Sequence, residues 1–291
     1  MVTGCNGQLG SEIKVLSSQY KGFQFLFSDI DELDITDFGK LEKYISKHNV
    51  DCIINCAAYT AVDKAESEPE LATKINVTAV SNLAKLSKQF NIFLFHISTD
   101  YVFDGMNYKP YLETDKTNPC SVYGKTKLLG EKEILSSGAN AIIIRTSWLY
   151  SSFGNNFVKS IIKYTREKGK LNVVYDQIGT PTYARDLAKA ILDIVSTENT
   201  PLRTMNKEHQ TNNIYNYSNE GVCSWYDFAK AVIALTGIEC LINPIETKDY
   251  PTPAKRPPYS VLSKDKIKQK FSLSIPYWRD SLIDCLKGYV V

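Results

Sequence analysis

The sequence predicts a doubly wound α/β fold, in which a mainly parallel sheet carries helices on both faces. Four short apolar runs typical of buried strands occupy residues 23–28, 52–57, 91–97 and 141–144. Stretches with helical spacing separate these runs, and the clearest of them covers residues 68–86, with proline and acids in its first turn. Strands that alternate with helices in this way favour parallel pairing.

The regular alternation ends about halfway along the chain and divides it into two predicted regions. The N-terminal region, residues 1–150, carries the alternating strands and helices. The C-terminal region, residues 151–291, contains turns, a proline-rich stretch at 250–258 and helices near 184–195 and 225–235. Loops gathered in this way often surround a ligand. We therefore expect a smaller C-terminal region that binds a substrate, with some segments returning to the sheet.

Composition narrows the function classes. The chain has 291 residues and a formal net charge of +2, with both signs interspersed, so no nucleic-acid or membrane partner is expected. No apolar run approaches the roughly 20 residues of a membrane span. Seven scattered cysteines and three histidines show no metal-binding spacing, which predicts free thiols and no metal site. Without a signal peptide before the first glycines, we expect a cytoplasmic protein.

A glycine-rich segment near the N-terminus predicts a dinucleotide-binding loop. Glycines recur at every third position from Gly4 to Gly10, with Gly7 between them. A helix is predicted to start near Ser11, and its first turn supplies free N–H groups to a pyrophosphate. Asp29 follows the next predicted strand, 19 residues after Gly10, where an acid can bind a ribose 2′-hydroxyl. These features predict a Rossmann-type domain that binds NADH or NADPH, and Asp29 favours NADH.

The strand before this loop is short. Only Met1, Val2 and Thr3 precede Gly4, whereas a full Rossmann unit has a whole strand there. We expect either an unusually short first strand or a chain that starts a few residues late. A missing segment of a central strand would remove ladder hydrogen bonds and buried apolar surface.

A second pattern, Tyr123 and Lys127 four residues apart, indicates acid–base chemistry. The charge and leucine spacing of residues 128–135 predicts a helix, on which both side chains share one face. A nearby ammonium favours phenolate and lowers the pKa of a tyrosine from its usual value of about 10. Such a pair is common on solvated helices, but here it accompanies the glycine loop and a Ser-Thr-Asp triplet at residues 98–100.

Several segments resemble the dTDP-4-dehydrorhamnose reductases, a branch of the extended short-chain dehydrogenase/reductase superfamily. The most specific are Ala-Val-Asp-Lys-Ala-Glu at residues 61–66 and Arg-Thr-Ser-Trp at residues 145–148. The resemblance covers nearly the whole chain. The matching segments are residues 2–10, 55–66, 98–105, 123–127, 145–148, 154–157, 250–253 and 256–257. Cys5 and Cys56 stand where small residues such as alanine are usual in that family.

The resemblance implies reduction of the 4-keto group of dTDP-4-dehydro-L-rhamnose, giving dTDP-L-rhamnose for cell-surface polysaccharide. It implies that Tyr123 donates a proton to the ketone oxygen and that Thr99 hydrogen-bonds the same oxygen. Lys127 would hold the pKa of Tyr123 down and bind the nicotinamide ribose. The predicted catalytic residues are therefore Tyr123, Lys127 and Thr99.

The resemblance also implies binding residues for both ligands. The predicted cofactor contacts are Gly4, Gly7, Gln8, Leu9, Gly10, Asp29, Asp34, Ile35, Ala58, Tyr59, Thr60, Tyr123 and Lys127. The predicted substrate contacts are Thr99, Asp100, Trp148, Asn156 and Arg256.

Simpler structural roles compete with several of these predictions. Trp148 could belong to the core, and Thr99 with Asp100 could cap a strand end. Asn156 could cap a helix that starts at residue 157, and Arg256 could be solvated, although an arginine in a rigid proline loop suits phosphate. His96 is expected to be packed inside a strand.

Other functions are open at this point. A nucleotide-sugar 4,6-dehydratase resembles the same superfamily but carries an acid after its Thr-Asp pair, where this chain has Tyr101. An epimerase would lack the specific segments. A reductase of another nucleotide-linked 4-keto-6-deoxy sugar would keep every motif, and the regulatory β-subunit of methionine adenosyltransferase resembles this branch without being an enzyme. The expected partner is a nucleotide sugar, and the protein is expected to be a monomer or homodimer.

Overall fold

The computed structural model describes residues 1–196 and 214–287, and a six-stranded parallel sheet lies at the centre of that part of the chain. The strands, in chain order, are β1 Val2–Thr3, β2 Phe27–Ser28, β3 Cys52–Asn55, β4 Phe93–Thr99, β5 Ala141–Thr146, β6 Leu149–Tyr150, β7 Lys170–Val174, β8 Ile178–Gly179, β9 Thr182–Tyr183, β10 Ile214–Tyr217, β11 Cys223–Ser224 and β12 Leu241–Ile245. The central sheet has the order β10-β5-β4-β3-β1-β2.

Helices cover both faces of this sheet and build the C-terminal region. They are α1 Gln8–Leu16, α2 Phe38–His48, α3 Val62–Ala65, α4 Pro69–Thr73, α5 Ala79–Gln89, α6 Val122–Ser137, α7 Phe157–Lys168, α8 Ala184–Ser196, α9 Trp225–Thr236, α10 Asp265–Phe271 and α11 Trp278–Leu286. Within the two described ranges, none of them is long and apolar enough to span a membrane.

The order of the strands creates a crevice at one edge of the sheet. Val2 pairs with Phe27 of β2 on one side and with Ile54 of β3 on the other. The chain therefore leaves β1 toward one side and later crosses to the opposite side. In open α/β sheets a ligand binds where the connections diverge, beyond the carboxyl ends of the strands. The predicted doubly wound fold is confirmed, and this crevice lies between β1 and β3.

Alternating side chains of β4 show how the sheet separates two cores. Phe93 and Phe95 face the cluster that contains Ile13 of α1 and Ile191 of α8. Leu94 faces the opposite cluster, together with Leu83 of α5. Neighbouring residues of a strand point to opposite faces, so a strand buried on both sides is mainly apolar.

The C-terminal region has a core of its own. Phe228 of α9 packs there with Val158 of α7 and Leu282 of α11. Two-stranded pairings support these helices: β7 with β12 and β6 with β9 are parallel, and β8 with β11 is antiparallel. The region also returns β10 to the central sheet, where Ile214 pairs with Ile143 of β5.

Two predicted elements differ from the structure. The predicted strand at residues 23–28 is reduced to Phe27–Ser28, which pair with Val2 and Thr3 of β1. The predicted helix at residues 68–86 is interrupted, since a π-helical turn at Lys74–Thr78 separates α4 from α5. A π-turn inside a helix often accompanies a functional site.

A cavity of about 780 Å³ lies at the amino edge of the sheet and is lined by Phe23, Phe25 and Val50 among others. The α-amino group of Met1 occupies the ladder position next to it and donates to the Cys52 carbonyl at 2.7 Å. Burial lowers the pKa of this amino group below its ordinary value of 8.0. An ammonium there is therefore disfavoured relative to a neutral peptide N–H.

Four apolar residues added before Met1 should extend β1 and raise the thermal denaturation midpoint. The added peptide N–H replaces the amino group in the ladder, and the added side chains bury apolar surface. The α-amino group of Met1 has a lowered pKa in the fold, so its penalty is present below about pH 8 and disappears above it. The gain in midpoint, measured by circular dichroism, should therefore be larger at pH 6 than at pH 9.

A four-residue Gly-Ser extension serves as the control, because it supplies the peptide N–H without apolar side chains. It should reproduce only the part of the gain that depends on pH. An apolar extension that leaves the midpoint unchanged at both pH values would contradict this account of β1.

Candidate active site

The glycine loop joins β1 to α1 at the carboxyl edge of the sheet. Gly4 has φ +63°, and a Cβ atom there would lie 2.7 Å from the Ala57 Cα atom, so only glycine fits. The Gly7 N–H donates to the Gly4 carbonyl at 3.1 Å and closes the turn. Helix α1 begins at Gln8, and its first N–H groups, those of Gln8, Leu9 and Gly10, have no acceptor within the helix. The loop therefore offers free donors to an anion.

Asp29 lies at the end of β2 and is tied to the glycine loop. Its carboxylate accepts from the Asn6 N–H and from the Ile30 N–H, each at 2.8 Å. The side chain is half-buried, so it stays accessible at the rim of the crevice. This is the predicted position for an acid beside a ribose.

Two further predicted cofactor contacts, Asp34 and Ile35, lie farther along the same rim. The Asp34 carboxylate accepts from the Thr36 N–H at 2.8 Å, and its pKa is lowered because these hydrogen bonds outweigh its desolvation. The Ile35 side chain is buried in the core, so its backbone is what faces the rim. Asp37 caps α2 by accepting from the Lys40 N–H at 3.0 Å.

The loop after β3, with Ala58, Tyr59 and Thr60, is held by a residue that sequence analysis missed. Asn76, buried in the π-helical turn, accepts from the Tyr59 N–H at 2.9 Å and donates to the Tyr59 carbonyl at 3.1 Å. Its amide also donates to the Thr126 hydroxyl of α6 at 3.1 Å. The interruption of the helical pattern thus places one side chain between the cofactor loop and α6.

Helix α6 carries Tyr123 and Lys127 and packs closely on the segment after β4. The Ser121 hydroxyl caps the helix by accepting from the Gly124 N–H at 3.1 Å. A Cβ atom at Gly124 would lie 2.2 Å from the Tyr101 carbonyl oxygen. Only glycine allows this approach, and it places the Tyr123 ring edge-on to the Tyr101 ring at 5.5 Å.

Thr99, Asp100 and Tyr123 meet at the carboxyl end of β4. The Thr99 hydroxyl donates to one Asp100 carboxylate oxygen at 3.0 Å. Burial raises the pKa of Tyr123 to about 12, hydrogen bonding with Thr99 opposes this, and the charge of Asp100 adds to it. Burial likewise raises the pKa of Asp100 to about 7, against hydrogen bonds that include Ser260 and Thr99. Desolvation therefore dominates the electrostatics of this site.

The expectation that Lys127 lowers the pKa of Tyr123 is wrong for this arrangement of side chains. The buried Lys127 amine donates to the Ile97 carbonyl at 2.6 Å and lies 3.4 Å from the Nε2 atom of His96. Its own pKa is lowered to about 8 by burial, and Glu131 opposes the shift. Helical spacing placed Tyr123 and Lys127 on one face, but it could not reveal that the amine turns toward β4.

A buried ion pair joins α6 to the strands of the central sheet. The Glu131 carboxylate accepts from the Arg145 Nε and Nη2 atoms at 2.9 and 2.7 Å, and from the Ser98 hydroxyl at 2.5 Å. The three side chains belong to α6, β5 and β4. Breaking such a buried pair by removing one partner typically costs about 3–5 kcal/mol of stability.

A cavity of about 830 Å³ opens beside Tyr101, between the sheet edge and the C-terminal region. Its lining includes Phe157, Trp225, Tyr250 and Arg256. Apolar and aromatic walls with a few charged groups are typical of a site for an organic ligand.

Arg256 reaches this cavity but is already paired. Its two terminal nitrogens donate to the two oxygens of Asp63 at 2.8 and 2.7 Å. Hydrogen bonding to Asp63 raises the pKa of Arg256 further. Sequence analysis missed Asp63 as the partner, although Asp63 lies in the specific segment at residues 61–66.

Trp148 and Asn156 occupy positions with clear structural roles. Trp148 has φ +48°, a strained value for a bulky residue, and stacks on Trp225 with ring centroids 3.5 Å apart. Asn156 caps α7 by accepting from the Lys159 N–H at 3.1 Å, and its amide donates to Gln8 at 3.0 Å. The helix-capping role of Asn156 is therefore present, and contact of either residue with substrate stays a prediction.

No group of three or more histidine, cysteine or acidic side chains suited to a metal ion occurs among residues 1–196 and 214–287. The described site consists of the glycine loop, the Thr99–Tyr123 pair with Lys127 on the next turn of α6, and the adjoining cavity.

Comparison with known proteins agrees with this geometry. A family model described as the RmlD substrate binding domain matches residues 1–291. A dTDP-4-dehydrorhamnose reductase from Aggregatibacter actinomycetemcomitans is 40% identical over 97% of this chain and 96% of its own length. This chain belongs to the dTDP-4-dehydrorhamnose reductase family.

Solved structures place the family's fold on this chain. The dTDP-4-dehydrorhamnose reductase from Clostridium acetobutylicum superposes with a TM-score of 0.90 at 39% identity, covering 100% of this chain and 99% of that one. The family member from Bacillus anthracis, solved in complex with NADP, also has a TM-score of 0.90, at 34% identity, covering 99% and 98%. The family member described here thus has the fold of a nicotinamide-dependent oxidoreductase.

Asp100→Asn should stabilise this reductase family member more at pH 8 than at pH 5. The folded-state pKa of Asp100 is raised to about 7 from 3.8, so its contribution to stability is full below about pH 4 and is lost as the pH rises through 7. Asparagine carries no charge, so the difference in unfolding free energy between variant and native protein should grow by about 2 kcal/mol between pH 5 and 8. Guanidinium titrations at both pH values measure this difference.

Asp104→Asn is the matched control, because hydrogen bonding to the Met106 N–H lowers the pKa of Asp104 below 3.8. Asp104 is ionised in both states from pH 5 to 8, so its substitution should change stability equally at both. A pH-independent effect of Asp100→Asn would contradict the burial of its charge.

Proposed function

We propose that this protein reduces the 4-keto group of dTDP-4-dehydro-L-rhamnose with NADH or NADPH, giving dTDP-L-rhamnose for polysaccharide biosynthesis. The observation that carries the proposal is that Thr99 and Tyr123 meet at the carboxyl end of β4, with Lys127 on the next turn of α6 and the glycine loop at the same edge of the sheet. Hydroxyl groups placed there can bind and protonate an oxygen, as ketone reduction requires.

The residues of the glycine loop fit a dinucleotide. A Cβ atom at Gly4 would collide with Ala57, so the backbone there leaves room for a close ligand. The free N–H groups at the start of α1 suit a pyrophosphate. When bound, the nicotinamide ring supplies a hydride to the ketone carbon. Lys127, one turn after Tyr123, would bind the adjoining ribose.

The hydroxyls of Thr99 and Tyr123 would act on the substrate oxygen. Thr99 holds its position through its bond to Asp100 and a 3.2 Å hydrogen bond from the Tyr101 N–H. On substrate binding its hydroxyl proton would turn from Asp100 to the ketone oxygen and orient it. Tyr123 stays protonated at neutral pH because burial raises its pKa to about 12, so it can donate its proton as negative charge develops on that oxygen.

The cavity beside Tyr101 would receive the nucleotide sugar. Aromatic rings at Phe157 and Trp225 offer flat apolar surfaces for a base or a sugar face. Arg256, fixed by Asp63, keeps a positive charge at the wall of the cavity, where it would attract the diphosphate. In this proposal Asp100 and Trp148 contact the sugar from the sheet side.

The choice between NADH and NADPH depends on Asp29. Its carboxylate would accept from a ribose 2′-hydroxyl and repel a 2′-phosphate, so we propose a preference for NADH. Two backbone N–H groups already hold it and partly neutralise its charge. The NADP complex of the Bacillus anthracis relative indicates that NADPH is the cofactor to compare.

The proposed activity is tested by NADH and NADPH oxidation with a panel of dTDP- and UDP-linked 4-keto-6-deoxy sugars, followed by product identification. Turnover should be fastest with dTDP-4-dehydro-L-rhamnose. Faster turnover with another sugar would identify that sugar as the substrate instead. Cofactor binding without any turnover would favour a regulatory protein.

Tyr123→Phe should lower kcat by about 10²–10⁴-fold and leave cofactor affinity nearly unchanged, because it removes only the proton donor. Stopped-flow turnover and fluorescence titration with NADPH measure the two quantities. Tyr44→Phe, on α2, where the ring packs against His48, is the control and should keep native turnover. Retention of most activity by Tyr123→Phe would show that another group donates the proton.

A further inference from the structure

A row of buried polar side chains runs from Lys127 across three neighbouring strands of the central sheet. It consists of His96 on β4, Asn55 on β3 and Thr3 on β1. These three side chains and Lys127 are each at most 2% exposed. Buried polar groups of this kind need defined hydrogen-bond roles, because an unsatisfied one is costly. The roles can be assigned from one fixed donor.

The orientation of the Asn55 amide is set by the backbone. The Ala57 N–H can only donate, and it lies 3.2 Å from the atom that is therefore the Asn55 oxygen. The Thr3 hydroxyl donates to the same oxygen at 2.7 Å. The Asn55 NH₂ group must then face the Nδ1 atom of His96, which is 3.0 Å away.

This contact determines the tautomer of His96. An NH₂ group only donates, so Nδ1 accepts and carries no proton. A neutral imidazole then has its proton on Nε2. Burial, with a smaller effect of Lys127, lowers the pKa of His96 well below 6.5 and keeps the ring neutral.

The protonated Nε2 atom faces the Lys127 amine at 3.4 Å. An ammonium has three donors and no acceptor, so it cannot accept from Nε2–H. A neutral amine can accept from Nε2–H and still donate to the Ile97 carbonyl, which lies at 2.6 Å. The hydrogen-bond geometry therefore fits the amine form of Lys127.

The other charged groups near Lys127 do not reverse this preference. Glu131, on the next turn of α6, is saturated by Arg145 of β5 and Ser98 of β4. Tyr123, on the preceding turn, is neutral, and Asp100 lies beyond it at the end of β4. Burial accordingly lowers the pKa of Lys127 to about 8.

We propose that His96 is a positioning residue that stabilises the neutral amine of Lys127 through its Nε2–H group and thereby makes the Lys127 ammonium a stronger acid. The inference rests on the proposed reduction. After Tyr123 gives its proton to the sugar oxygen, the Lys127 ammonium returns a proton to the phenolate and becomes the amine. A proton from solvent then restores the ammonium, so each reduction consumes one proton.

The tautomer is tested directly by ¹⁵N NMR on histidine-labelled native protein, which contains three histidines. His96→Gln identifies the resonances by their loss. His96 should show a protonated Nε2 and a bare Nδ1 and should not titrate between pH 5 and 9. A protonated Nδ1 atom or a charged ring would overturn the proposal, whether or not the protein turns over.

Asn55→Asp should reverse the hydrogen-bond donor and acceptor roles of the two His96 nitrogens. A carboxylate accepts from Nδ1–H, which moves the imidazole proton and turns Nε2 into an acceptor for the ammonium. The basic limb of the kcat–pH profile should shift upward by about one unit. The double variant Asn55→Asp/His96→Gln is the control, because the shift produced by the aspartate requires the imidazole.

His96→Gln alone is the reference for the double variant, whose basic limb should coincide with its own, and it also covers the case in which Asn55→Asp does not fold. Its amide oxygen can accept from the ammonium, so it should also move the basic limb upward. A basic limb that stays in place in the folded variants would overturn the role of His96. Absence of turnover in native protein with every sugar and cofactor would refute the proposed function and leave the NMR result standing.

Discussion

The contact between α6 and the end of β4 is the constraint on which the rest of the site depends. At Gly124 the helix approaches the Tyr101 carbonyl so closely that no side chain fits between them. Below this contact, Glu131 joins α6 to Arg145 and Ser98 of the neighbouring strands. Because the helix is fixed at both points, Tyr123 is held beside Thr99.

Desolvation, rather than pairing of opposite charges, sets the protonation states at this edge. Burial raises the pKa of Asp100 to about 7 and that of Tyr123 to about 12, and it lowers that of Lys127 to about 8. Two of these groups therefore change charge near neutral pH. Such values suit proton transfer, because a group that titrates near the working pH can both give and take a proton.

The sequence predicted the features that repeat at short range. Glycine spacing gave the loop before α1, apolar runs gave β3, β4 and β5, and the interval between Tyr123 and Lys127 gave the shared face of α6. The Asn156 cap was one of two alternatives that the sequence left open. Each of these features depends on neighbours within a few residues.

Features that depend on distant segments could not be predicted. The partner of Arg256 is Asp63, which is 193 positions away, and the amine of Lys127 turns toward His96 on another strand. A π-helical turn places Asn76 between the loop after β3 and α6, and the apolar periodicity of the sequence does not reveal this turn. Residues 23–26 have strand-like composition, yet the strand begins only at Phe27, which pairs with Val2 of β1. Tertiary pairing decided each of these outcomes.

The central claim is that the carboxyl edge of the sheet holds both ligands around Thr99 and Tyr123. A crystal structure of the protein with NADP⁺ and dTDP-L-rhamnose tests it most directly. We predict that the pyrophosphate lies on the N–H groups of Gln8 and Leu9, and that the sugar 4-oxygen lies within about 3.2 Å of the Thr99 and Tyr123 hydroxyls. A sugar 4-oxygen bound away from both hydroxyls, or a dinucleotide bound outside the glycine loop, would contradict the account.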